Sequence, residues 1–85
     1  MDISFDKAGW ADYIYWQEKD RKIVKKINSL VKEIVRDPFS GIGKPEQLKH
    51  DLAGFWSRRI TDEHRLVYAV GKNSILIVSC RFHYI

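Results

Sequence analysis

A single cysteine in 85 residues excludes an intrachain disulfide. Cys80 lies in the apolar run ILIVSC and reads as a small buried hydrophobe. No Cys/His spacing resembles a zinc site. The chain lacks an apolar run of about 18 residues, so no membrane-spanning helix is expected. The start, MDISFDKAG, lacks the apolar core of a signal peptide. A reducing, cytoplasmic setting is the default expectation. There are no repeats, no low-complexity tract and no phosphate loop. Gly41-Ile42-Gly43 follows a helical pattern and lacks the rest of a dinucleotide fingerprint. Ser57 and Ser79 have no nucleophile elbow around them.

What the sequence does have is aromatic weight and a modest basic surplus. Three Trp, four Tyr and four Phe give a small chain large surfaces to bury. The net charge is +4. Residues 1–43 hold 8 basic and 7 acidic groups, and residues 44–85 hold 7 and 4. All three histidines lie in the second part. Such a surface suits a polyanion or an acidic protein partner, and plain solubility explains it equally well. The length fits one domain over residues 1–85.

The local patterns order themselves as β-α-α-loop-β-β-β. DISF is β-favouring, and Asp6 is placed to cap a helix ending near Lys19. Asp20 caps the next helix. There Ile23, Val24, Ile27, Leu30, Val31, Ile34 and Val35 recur at helical spacing, with a lysine-rich solvated face opposite. Pro38 closes it. The segment PFSGIGKPEQLKHDLAG reads as a loop, long for so small a domain. FWSRRI, HRLVYAV and ILIVSCRFHYI read as strands, with GKNS turning between the last two. Helices followed by a run of strands predict an α+β fold, with an N-terminal strand and two helices packed on a mainly antiparallel sheet. A long last strand would hold His83 more firmly than a free tail.

The polar residues of the second half suggest a chemistry. Glu46 and Lys49 lie in the loop, Arg58, Arg59 and Arg65 on strands, and Arg81, His83 and Tyr84 near the end. Metal-free cleavage of RNA by its own 2′-hydroxyl uses such groups. A base takes the hydroxyl proton, cations stabilise the phosphorane, and an acid protonates the departing 5′-oxygen. Glu46 is the candidate base, and His83, of the residue type that titrates near neutrality, the candidate acid. Arg59 and Arg65 are candidate phosphate grips. Taken singly, each has an ordinary structural reading, and spacing does not show convergence. Hairpin register also leaves two outcomes open. A two- or four-residue loop puts Arg65 on the face of Cys80 and Phe82, whereas a three-residue loop or a bulge puts it with Arg81 and His83.

The blocks YIYWQEKDRKIVKKINSLVKEI and GKPEQLKHDLAGFWSRRITDEHRLVY, with the ending CRFHY, closely resemble the Txe/YoeB family of RelE-like bacterial toxins. The resemblance covers essentially the whole chain. It implies a RelE-like, microbial-ribonuclease-like fold and a metal-independent endoribonuclease that cuts messenger RNA in the ribosomal A site, with no cofactor. It implies Glu46 as general base, Arg65 as phosphate stabiliser, His83 as general acid and Tyr84 as a substrate-positioning aromatic. Lys49 and Arg59 match accessory phosphate-binding positions. The implied partners are the ribosome and its message, a cognate YefM/Axe-like antitoxin, operator DNA through the antitoxin complex, and a second copy in a homodimer. No membrane is implied. The family pattern commonly finishes at His-Tyr, whereas this chain adds Ile85. Gyrase-inhibiting ParE-type toxins, a nuclease-dead corepressor and a plain RNA-binding domain are the alternatives. Glu46, Arg65 and His83 together speak against the first, and the filled catalytic positions against the second. Core packing as the reading of Trp56, Tyr68 and Phe82, the candidate stacking aromatics, speaks against the third.

Overall fold

The computed structural model describes residues 1–83. Strand β1 (Asp2–Phe5) leads into helices α1 (Lys7–Lys19) and α2 (Arg21–Arg36). Four strands follow: β2 (Glu46–Gln47), β3 (Phe55–Arg59), β4 (Arg65–Val70) and β5 (Ser74–Ser79). They form one sheet in the order β1-β5-β4-β3-β2, with β1 parallel to β5 and the remaining pairs antiparallel. The α+β arrangement and the mainly antiparallel sheet are those read from the sequence.

Local chemistry sets the helix boundaries. The Asp6 carboxylate accepts from the Gly9 N–H at 2.7 Å and starts α1. Asp20 serves two helices at once. Its N–H bonds to the Trp16 carbonyl to finish α1, while its carboxylate accepts from the Lys22 N–H to begin α2. An extended backbone at Asp20 makes the corner between them.

The apolar stripe of α2 delivers Ile27, Leu30 and Ile34 to the core, each fully buried. They meet Leu66 and Tyr68 of β4 and Ile75 and Ile77 of β5. Helix α1 contributes Trp16 and presses directly on β5 through Gly9. Strand alternation therefore gives the sheet a helix-covered face and an opposite face.

Two expectations need correction. The long loop is not structureless: β2 and a 3-10 turn at His50–Leu52 lie within it. Glu46 and Gln47 pair with Ser57 and Trp56 and make β2 the edge of the sheet. The last strand is shorter than its apolar run suggests. It ends at Ser79, and the chain then bends. Side chains of α1 and a histidine before β4 take the backbone bonds that a strand partner would have supplied, as described below.

Candidate active site

The sheet register decides which polar side chains share a face. Glu46 pairs with Ser57, Ser57 with Val67 and Val67 with Ser79. These four residues form one row across the sheet on the face away from the helices. Two positions further along β3 and β4 on that face, Arg59 stands opposite Arg65. Glu46 and Arg59 are exposed and Arg65 is half-buried, while Ser57 and Val67 are buried beneath them. A carboxylate and two guanidinium groups thus share a single surface. Lys49 is exposed just beyond β2, and Glu46 through His50 line a surface depression.

Arg65 is held from one side. Its Nη1 donates to the carbonyls of Thr61, Asp62 and His64 at 2.6, 3.1 and 3.0 Å. The loop between β3 and β4 thereby fixes the guanidinium. Among the described residues no acceptor engages its Nε or Nη2, which leaves donors for an anion. Among the described residues the Arg59 side chain has only a long ion pair, 3.7 Å, to the fully exposed Asp62.

A bulge sets the relation between β4 and the chain end. Tyr68 faces Ile77, yet Val67 faces Ser79, so one residue of β5 is passed over. The bulge reverses the alternation at the end of β5, where Ser79 comes opposite Val67. A bulge is what the second of the two register outcomes called for, but Arg81 turns to Tyr15 of α1, so that outcome's grouping of Arg65 with Arg81 is not what forms. The following residues are anchored by other elements. The Cys80 N–H donates to Asp12 Oδ2 at 3.0 Å, and its carbonyl accepts from Trp16 Nε1 at 2.8 Å. The Phe82 N–H donates to His64 Nδ1 at 2.7 Å, and its carbonyl accepts from the Arg65 N–H at 3.0 Å. His83 is exposed and directly follows this clasp. Tyr84 lies outside the described residues.

Among the described residues three non-glycines have a left-handed backbone: Lys44, His50 and Phe82, with φ of 51°, 58° and 62°. Lys44 and His50 flank Glu46 and Lys49, and Phe82 precedes His83. Such conformations cost about 1–3 kcal/mol each and concentrate where a site imposes them.

Two arginines grouped with the site by residue type do not belong to it. Arg58 sits on the helix-covered face and is fully buried. Its Nε donates to the Tyr68 hydroxyl, its Nη1 to the Ile42 carbonyl and its Nη2 to the Asp37 and Ser40 carbonyls, at 2.7–3.0 Å. The Tyr68 hydroxyl in turn donates to the Pro38 carbonyl at 2.7 Å. Burial pushes the Tyr68 phenol up, against the opposing pull of Arg58, so it remains a donor. Arg58 therefore organises the loop after α2. Arg81 stacks over the Tyr15 ring at 3.6 Å, which ties it to α1.

His64 has no role assigned from the sequence, yet it is buried and touches both the core and the chain end. Its ring packs edge-on against Trp16 at 4.8 Å and tilts against Phe82 at 5.7 Å. A signal was available: it shares strand parity with Leu66 and Tyr68, the buried residues of β4. Among the described residues no cluster of three or more His, Cys, Asp or Glu is placed to hold a metal ion. No helix there is long and apolar enough to cross a membrane.

Known proteins extend this picture. Toxin YoeB of Escherichia coli K12 is 62% identical over 84 residues, which are 99% of this chain and all of that one. The YoeB of Staphylococcus aureus, solved as a dimer, superposes with a TM-score of 0.92 at 53% identity, covering 99% of this chain and 98% of that one. In its heterotetrameric YoeB-YefM toxin-antitoxin complex it superposes with a TM-score of 0.91 at the same identity and coverage. The family model for the YoeB-like toxin of bacterial type II toxin-antitoxin systems matches residues 5–84. Matched over nearly its whole length by the family model and by these relatives, the chain belongs to the YoeB-like toxins of bacterial type II toxin-antitoxin systems.

Proposed function

We propose that this toxin is a metal-independent endoribonuclease that cleaves messenger RNA in the ribosomal A site and so arrests translation. The observation that carries the reading is the shared face of Glu46, Arg59 and Arg65, with the His83 segment bonded to the Arg65 backbone. Glu46 takes the proton of the 2′-hydroxyl. The oxygen attacks the adjacent phosphorus, forming a 2′,3′-cyclic phosphate as the bond to the 5′-oxygen breaks. His83 gives its proton to that oxygen. Arg65 and Arg59, with Lys49 at the rim, balance the charge that builds on the non-bridging oxygens, where fixed donors act most strongly. Tyr84 stacks on a base and positions the substrate.

A single domain over residues 1–85 acts as a homodimer. A YefM/Axe-like antitoxin silences it by covering the basic face with an acidic segment. The resulting complex binds operator DNA through the antitoxin. The S. aureus YoeB dimer and YoeB-YefM heterotetramer support these partners.

The test is cleavage of a ribosome-bound message in a purified translation system. Glu46→Gln and His83→Gln should each slow cleavage by about 10²–10⁴-fold with the fold intact. Arg65→Ala should lose roughly 3–4 kcal/mol of transition-state stabilisation. Wild-type rates in both the Glu46 and His83 variants would remove the mechanism.

A further inference from the structure

His64 is a buried polar side chain whose bond reaches across the chain to the residue before His83. The Phe82 N–H donates to its Nδ1 at 2.7 Å. That bond needs a lone pair on Nδ1, so the ring is neutral with its proton on Nε2. Nε2 lies 3.3 Å from Glu63 Oε1, so a carboxylate stands on the side of the ring that carries the proton. Trp16 and Phe82 fix the plane of the ring. Next in sequence, the Arg65 N–H takes the Phe82 carbonyl. Both peptide groups of Phe82 are thus held by two consecutive residues. Phe82 itself is left-handed, with φ of 62°, an unfavourable conformation for a bulky side chain. A free chain end would relax it. Because φ and ψ at Phe82 set the direction in which residue 83 leaves the turn, what holds Phe82 aims His83.

We propose that His64 is a positioning residue for RNA cleavage: its neutral Nδ1 holds the left-handed turn at Phe82 that presents the His83 imidazole to the leaving 5′-oxygen. The inference rests on His83 being the acid. It places the specificity of the effect in the leaving-group step, because Glu46 is placed by its pairing with Ser57 and the Arg65 guanidinium by the Thr61, Asp62 and His64 carbonyls, none of which uses the His64 ring. A side chain serving only the core would affect every step alike.

The experiment uses ribosome-bound messages with either the ordinary linkage or a 5′-bridging sulfur at the cleaved position, since a thiolate departs without a proton. His83→Gln should be slow on oxygen and near wild type on sulfur. His64→Phe keeps the ring and removes the acceptor. It should cleave the oxygen linkage about 10- to 100-fold more slowly, as misplacing a catalytic group by about 1 Å does, and recover on sulfur. His64→Asn puts an oxygen where Nδ1 stands and should restore the oxygen rate to within about threefold, being the conservative variant. His64→Gln, polar but with its oxygen at the Nε2 position, should behave as His64→Phe and stands in for it if that variant does not fold. His64 variants equally slow on both linkages, or as fast as wild type on oxygen, overturn the positioning role. If His83→Gln itself cleaves the oxygen linkage at the wild-type rate, the acid assignment has failed, and the positioning role falls with it.

Discussion

Arg59 and Arg65 stand directly opposite one another across the β3–β4 ladder. Like charges at such a pair destabilise a sheet. Among the described residues Arg59 has only a 3.7 Å contact with an exposed aspartate to offset this, and Arg65 is bound on one side by loop carbonyls. A sheet selected for stability alone would not place them so. An anion between them removes the repulsion, and a scissile phosphate is such an anion.

Arg59→Thr should therefore separate stability from activity. Removing one of two opposed cations, and substituting a β-branched residue, should raise stability by about 0.2–1 kcal/mol, a shift of a few degrees in thermal unfolding. The same variant should cleave message more slowly and bind it less tightly. A variant that loses stability yet keeps full activity would show that Arg59 serves the fold and not the RNA.

One residue earlier, the opposite outcome is expected. Arg58 donates to three loop carbonyls and the Tyr68 hydroxyl from a fully buried position. Hydrogen bonds from charged groups are worth about 1.5–3 kcal/mol each, and unpaired buried carbonyls add to the loss. Arg58→Ala should cost about 3 kcal/mol or more, lowering the unfolding midpoint by more than about 10 °C. A midpoint within about 3 °C of wild type would contradict the account, because that shift is worth under 1 kcal/mol here.

Gly9 tests how closely α1 lies on β5. A Cβ there would run into the carbonyl of Ile77. Alanine gains about 1 kcal/mol over glycine in a helix interior, so an exposed position would be stabilised by Gly9→Ala. Overpacking against backbone typically costs about 1–3 kcal/mol. Denaturant unfolding should show a net loss, and a net gain would mean that the helix and strand separate without cost.

Cys80 should be chemically inert in the folded protein. Burial first, and the neighbouring Asp12 second, push its thiol up to about 12. The reactive thiolate is then scarce at pH 8. A thiol reagent should read none in the native protein and one per chain in guanidinium. Rapid native labelling would indicate that the β5 end opens readily.

Much of the fold was legible in the sequence because it is local. The Asp6 and Asp20 caps, the α2 stripe and the three strands after the loop all follow from spacings within a few residues. The site was less legible. Residue types nominated eight polar positions, and alternation along β3 separates two of them: Arg58 turns inward and Arg59 outward. The bulge between Val67 and Tyr68 left no mark in the sequence, since β5 reads as an unbroken apolar run through it. The clasp on Cys80 and Phe82 was equally hidden, because Asp12, Trp16 and His64 look like ordinary members of their own elements.

The sequence by itself determined the two helices, the first strand and the three later strands, though not β2 or the 3-10 turn within the long loop, for periodicity, capping and turn chemistry act over a few bonds. It also determined the family, through motifs that span the whole chain. Only the tertiary structure decided which arginines face the open side of the sheet and how the segment before His83 is held. Those outcomes depend on one register shift and on hydrogen bonds between residues as far apart as Asp12 and Cys80, distances over which the chain carries no local record of its partner.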